Sequence, residues 1–204
     1  MMNILKQHKR VVIVSLLLIC LTVGISLALF NDKTDILKNT FSIGNVETDI
    51  TEDKPITPES NNSISKNPTI KNTGTTSALV RVRITLSPDD IVEDFEIRTD
   101  IDDDWIYNEK DGFYYYKYLL EPNSTIDVFE YVLGTNIAYQ DSDGKWKINK
   151  ELEGLEIAVY HESVQAVIVG NDGTQIIAED GNINPDDFDS TNAGRIWSYF
   201  DSQE

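Results

Sequence analysis

Apolar residues along this chain fall into distinct patterns, and each predicts a different kind of element. From Val11 to Phe30 the run carries no charge and is interrupted only by Ser15, Thr22, Gly24 and Ser26. Downstream, "SALVRVRITLS" alternates, with Ala78, Val80, Val82, Ile84 and Leu86 on one face and Leu79, Arg81, Arg83 and Thr85 on the other. Such alternation predicts a strand with one core face and one wet face. "WIYNEKDGFYYYKYLL" places two aromatic-rich runs around Asn108 to Gly112 and predicts a β-hairpin with a longer loop. "STIDVFEYVLG" and "LEGLEIAVYHESVQAVIV" supply further strands. "IKNTGTTS" reads as a turn that would set a short strand, Pro68 to Lys71, antiparallel to the long alternating one. "EDKPITPESNNSISKNP", with three prolines, reads as a loop crossing between strands. Helical three-and-four spacing is weak and confined to Pro88 to Phe95 and Asn192 to Phe200. The pattern predicts an all-β fold, a single antiparallel β-sandwich preceded by an N-terminal signal helix.

The first apolar run follows Lys6, His8, Lys9 and Arg10, which makes it an export signal or an anchor. Small residues at positions −3 and −1 mark a signal cut, and Ser26-Leu27-Ala28 provides them, so cleavage after Ala28 would free Leu29 as the new N-terminus. The alternative is an uncleaved helix, since twenty residues at 1.5 Å rise cross roughly 30 Å of hydrocarbon. Either way Lys6, Lys9 and Arg10 hold the N-terminus inside, and the chain after Phe30 lies outside the cytoplasm. The expected organisation is a signal peptide at 1–28, a mature N-terminal segment at 29–38 and a β-sandwich domain at 39–204.

Composition narrows the function classes. The formal net charge is −18, with 17 basic and 35 acidic residues, and three of the basic ones lie within residues 1–28. Nucleic acid is therefore an unsuitable partner, because phosphate recognition needs clustered Lys and Arg. The single cysteine, Cys20, lies mid-run in the apolar segment, so the exported part has no disulfide or thiolate metal site.

Enzyme constellations are not found. A zinc-protease helix needs His-Glu-x-x-His, whereas "HESVQ" has Gln165 in the fifth position after His161. No nucleophile elbow and no Gly-rich phosphate loop occurs. Acidic turns at "DIDDD" and "DSDG" make Asp102, Asp104, Asp141 and Asp143 candidate ligands for calcium, which takes six to eight oxygens. Solvated turns explain the same residues, and no other cofactor is expected. The aromatic run Phe113 to Tyr118 is read as cross-strand packing, with a glycan platform as the alternative.

Several segments taken in order resemble one family. "SLALFNDKTD" followed by "NTFSIGNVETDITE" is similar to the signal and first strand of proteins cut by the alternate, SipW-type signal peptidase of Gram-positive spore-formers. The pattern Asn-x-Phe-x-x-Gly-x-Val is matched by Asn39, Phe41, Gly44 and Val46. "NPTIKNTGTTSALVRVRITLS", "DGFYYYKYLLEPNST" and "HESVQA" resemble the body of the same group, the SipW-dependent matrix proteins that include TasA, camelysin (CalY) and BsaA-like members. The resemblance runs to about Ala166 and loosens from Val167 to Glu204. It implies a jelly-roll-like sandwich, secreted to the extracellular matrix or cell surface and assembled with itself into biofilm fibres, with other matrix components as further contacts. A camelysin-like metalloprotease is the alternative, and the incomplete "HESVQ" segment weighs against it. Strand physics supplies a route to a fibre: Leu29 to Lys38, with Leu29, Phe30, Ile36 and Leu37 as apolar anchors, would pair with a sheet edge of the next subunit. Such head-to-tail addition does not close and so grows a filament.

Overall fold

A computed structural model describes residues 46–51, 56–170 and 173–203. The signal, the cut and the segment 29–38 lie outside the described residues. What is described is mostly β, built from antiparallel sheets and compatible with an all-β sandwich.

The two longest strands define the frame. Strand β5 (Ala78–Ser87) and strand β13 (Glu156–Gln165) are ten residues each and pair along their whole length, from Glu156 opposite Ser87 to Gln165 opposite Ala78. On the other side of β5 lies the aromatic hairpin of β8 (Phe113–Tyr116) and β7 (Trp105–Asn108), giving the order β13-β5-β8-β7. Strands β1 (Thr48–Thr51), β4 (Thr69–Asn72) and β9 (Thr125–Asp127) form a second sheet. A third contains β2 (Thr57–Ser60), β3 (Ser63–Ser65), β10 (Tyr131–Leu133) and β6 (Arg98–Thr99). Two small hairpins complete the set: β11 (Ala138–Gln140) with β12 (Trp146–Ile148), and β14 (Val167–Val169) with β15 (Gln175–Ile177).

Alternation explains the main core. Ala78, Val80 and Val82 project from β5 into one cluster with Ile64, Ile70 and Val132, which come from the second and third sheets. Two pairings differ from the sequence reading. The strand near Pro68 does not pair with β5; β4 sits between β1 and β9. Its Asn72 is fully buried and donates from Nδ2 to the carbonyls of Thr76 and Leu120, so the turn crosses between sheets and does not close a hairpin. The proline-rich stretch read as a loop contains the β2–β3 hairpin, in which Ile64 is the buried residue.

The outer face of β5, expected to be wet, is buried over its first half. Leu79 is completely buried and Arg81 is 3% exposed. A helix α2 (Asn192–Asp201) covers them, and α1 (Asp89–Asp94) is the other α-helix among the described residues. Ala193, Ile196, Trp197 and Phe200 follow the three-and-four spacing of an amphipathic helix and pack with Leu79, Phe113, Tyr115 and Val164 in a second core. Thr191 caps α2 by accepting from the Gly194 amide at 3.0 Å. A Cβ on Gly194 would stand 1.8 Å from the Phe188 carbonyl oxygen, so only glycine lets the first turn of α2 lie against the preceding 3-10 turn, Phe188–Ser190. Gly194→Ala should therefore loosen the second core and cost about 1–3 kcal/mol, read as a lowered urea midpoint with an unchanged slope.

Candidate functional site

Two features of the long-strand sheet are candidates for function: a buried charge on its outer face and strand β13 at the end of its order. The charge is Arg81. Its Nε donates to Glu162 at 2.5 Å, directly across the β5–β13 ladder, and its two terminal nitrogens donate to the Asp201 carboxylate at 2.6 and 3.1 Å. Nη1 also donates to the Tyr115 hydroxyl at 3.1 Å. The guanidinium carbon lies 4.2 Å from the Phe113 ring centre and 4.4 Å from that of Trp197, within cation–π range. Tyr115 passes the network on by donating to Asp111 at 2.7 Å, and Asn108 donates to the same oxygen at 2.7 Å.

These contacts set the protonation states. Burial alone would lower the Arg81 pKa, but its bonds to Asp201, Tyr115 and Glu162 outweigh that and hold the charge more firmly than usual. Burial, reinforced by Asp111, raises the Tyr115 phenol above its ordinary value of 10.0, with Arg81 opposing. The cluster fastens α2 to the sheet.

The edge is different. Among the described residues β13 has one ladder partner, β5. Ile157, Val159, His161, Ser163 and Gln165 stand opposite Leu86, Ile84, Val82, Val80 and Ala78, which places them on the inner face. Part of that face is closed by β1: Thr48 Oγ1 lies 2.9 Å from Ser163 Oγ and 3.0 Å from His161 Nε2. Toward Glu156 the face opens into two adjoining clefts of about 180 and 190 Å³, which share Lys66 and Ile157. Ile64, Val132, Leu152 and Leu155 line the first, with Ile56 and Ile148 at 53% and 39% exposure on its rim. Ile50, Pro68 and Val159 line the second. A long strand at the end of its sheet's order beside an apolar groove is the kind of place where an added strand can pair.

The sequence candidates fall as follows. Ser26, Ala28, Leu29, Phe30, Ile36 and Leu37 lie outside the described residues. Asp102 Oδ1 accepts from the Asp104 amide at 2.8 Å, and Asp141 Oδ1 accepts from the amides of Asp143 and Lys145 at 3.0 and 2.9 Å, so these carboxylates fasten their own turns. No three His, Cys, Asp or Glu side chains gather as a metal-holding group among the described residues. His161 and Gln165 are on a strand, where residues four apart lie on one face about 13 Å from each other. The groove residues went unremarked in the sequence because Ile56, Lys66, Leu155 and Ile157 belong to separate segments and carry no motif. No family model, curated protein or solved structure matches this chain.

The buried charge predicts two outcomes. Arg81→Ala strands Glu162 and opens the aromatic pocket, costing about 3–5 kcal/mol, whereas Asp201→Ala, at the half-exposed end, costs about 1 kcal/mol; urea denaturation separates the two. A raised Tyr115 pKa means that the folded chain keeps a proton the unfolded chain releases. That part of the stability is complete below the unfolded value of about 10 and is lost as pH climbs above it. Tyr115→Phe should decline less steeply over this alkaline range, checked by denaturation midpoints measured upward from neutral pH.

Proposed function

We propose that this protein is a secreted structural subunit of the extracellular biofilm matrix, with a jelly-roll-like sandwich. Its copies assemble into fibres when the segment Leu29 to Lys38 of one subunit pairs with a sheet edge of the next, for which β13 is the candidate. The observation that carries the reading is the apolar groove beside β13, a ten-residue strand that stands at the end of its sheet's order among the described residues. A ten-residue donor matches β13 in length, and Leu29, Phe30, Ile36 and Leu37 make it apolar at both ends. The resemblance to SipW-dependent matrix proteins agrees with the same reading.

In this scheme the signal does two jobs. It takes the chain across the membrane, and until a SipW-type peptidase cuts after Ala28 it keeps the donor segment tethered. Backbone pairing of this kind uses no cofactor.

Deleting Leu29 to Lys38 from the processed protein should abolish filaments in negative-stain electron microscopy while leaving its circular dichroism and melting unchanged. Filaments of the usual length from the deleted protein would sink the proposal.

A further inference from the structure

The hairpin of β14 and β15 forms a two-stranded sheet of its own, with Val167 opposite Ile177 and Ile168 opposite Ile176. Ile168 and Ile176 pack against the second core, which turns Val167, Val169 and Ile177 to the other face. Ile177 is 48% exposed there. The Ala178 amide donates to the Ala166 carbonyl and the Gly170 amide to that of Thr174, each at 2.8 Å. Bonded pairs alternate along an antiparallel ladder, so Ile168 bonds with Ile176, and the N–H and C=O of Val167 and Val169 point away from β15. Among the described residues β14 has no ladder partner besides β15.

The composition of this edge sets it apart. Edge strands are commonly protected by charge, by proline or by a bulge, and Val167-Ile168-Val169 has none of the three. Between Glu162 and Glu179 the chain carries a single charge, Asp172, although its formal total is −18. Copies so acidic repel one another over most of their surfaces and meet least resistance where charge is missing. The edge is also self-complementary. When two β14 strands lie antiparallel about a two-fold axis at Ile168, Val167 of each stands opposite Val169 of the other, and every outward N–H and C=O of these valines is paired. A cleft of about 500 Å³ adjoins the edge, with Leu119, Ala166, Val167 and Ile177 in its wall. Residues opposite one another share a face, so Val169 of the second copy arrives beside Val167 at the mouth of this cleft.

We propose that β14 is a pairing edge at which two copies of this chain join, making one four-stranded sheet in the order β15-β14-β14-β15 and seating Val169 of each copy at the cleft of the other. An uncharged aliphatic edge offers a charged partner no counter-ion, whereas a second copy brings the matching apolar residues and the matching backbone groups. A two-fold contact closes on itself. It pairs copies where donor-strand addition would extend them, and it requires neither signal cleavage nor the segment Leu29 to Lys38.

The register gives the test. Val167 and Val169 of paired copies would have Cα atoms about 5.5 Å apart, within disulfide range, while two Val167 residues would be roughly 8 Å apart and out of reach. Full-length chains in detergent, with Cys20→Ser as background, are made as Val167→Cys and as Val169→Cys, one of them tagged, and oxidised separately and mixed. Dimers should form between the two variants and not within either alone. In sedimentation of the otherwise unaltered chain, Val169→Lys should weaken self-association by more than about tenfold, because the contact would bury an unpaired ammonium, with melting unchanged. Like-variant dimers as abundant as mixed ones, or no crosslink in the mixture, overturns the inference. So does a Val169→Lys chain that associates as tightly as the unaltered one.

Discussion

Arg81 stands in the middle of the longest strand pair with its guanidinium almost fully out of water. A charge so placed is strongly destabilising unless its partners are close and well directed. Every element that meets it is therefore constrained: β13 by Glu162, β8 by Tyr115 and Phe113, and α2 by Asp201 and Trp197. The helix has to dock at one place and one angle for Asp201 to reach the guanidinium with both oxygens. Once it has, the outer face of the sheet is covered at Leu79 and Val164, and the first half of β5 is buried on both sides. A sheet covered in this way still has edges. That is why the accessible backbone of this sheet is at its rims, and why the edge of β13 acquires its significance.

The alternation in "SALVRVRITLS" assigned side chains to faces correctly, and the aromatic hairpin and both helices were legible from turn chemistry and spacing. The error was in what covers the outer face. Alternation says that Leu79, Arg81 and Arg83 share a side; it cannot say that a helix more than a hundred residues away lies over two of them and leaves Arg83 exposed. Pairing partners were misread for a related reason. A turn next to a strand suggests a hairpin, yet the buried Asn72 amide satisfies carbonyls from two segments and lets the chain cross to another sheet. Prolines hid the β2–β3 hairpin, although Pro58 tolerates its place in an outer strand of its sheet, where one side of the backbone needs no donor.

The candidate site divides along the same line. The proposed donor, Leu29 to Lys38, is a contiguous segment visible to a sequence reading and lies outside the described residues. The groove beside β13 is assembled from Ile56, Lys66, Leu152 and Ile157, which are neighbours only after folding. The acidic turns show the converse. Asp102 and Asp141 stand out in the sequence as candidate ligands, and in the fold each is occupied with the amides of its own turn.

In the proposed fibre, backbone pairing is not what decides affinity. Each hydrogen bond gained is worth about 0.5–1.5 kcal/mol, while ordering each residue of a previously free segment costs about 1–2 kcal/mol. Ten paired residues alone would therefore roughly break even or lose. The surplus has to come from side chains entering clefts, at about 1.5–3 kcal/mol for each large apolar residue fully buried. Anchors at both ends are worth more than anchors at one, because a strand held only near Leu37 would leave its other end to fray and give up the hydrogen bonds it made. An acidic chain adds a further demand, since the full chain carries a formal charge of −18 and loses three basic residues with segment 1–28, so its copies repel one another at long range. Contacts that act only at short distance, such as side chains entering an apolar groove, are what such a subunit needs to hold a neighbour against that repulsion.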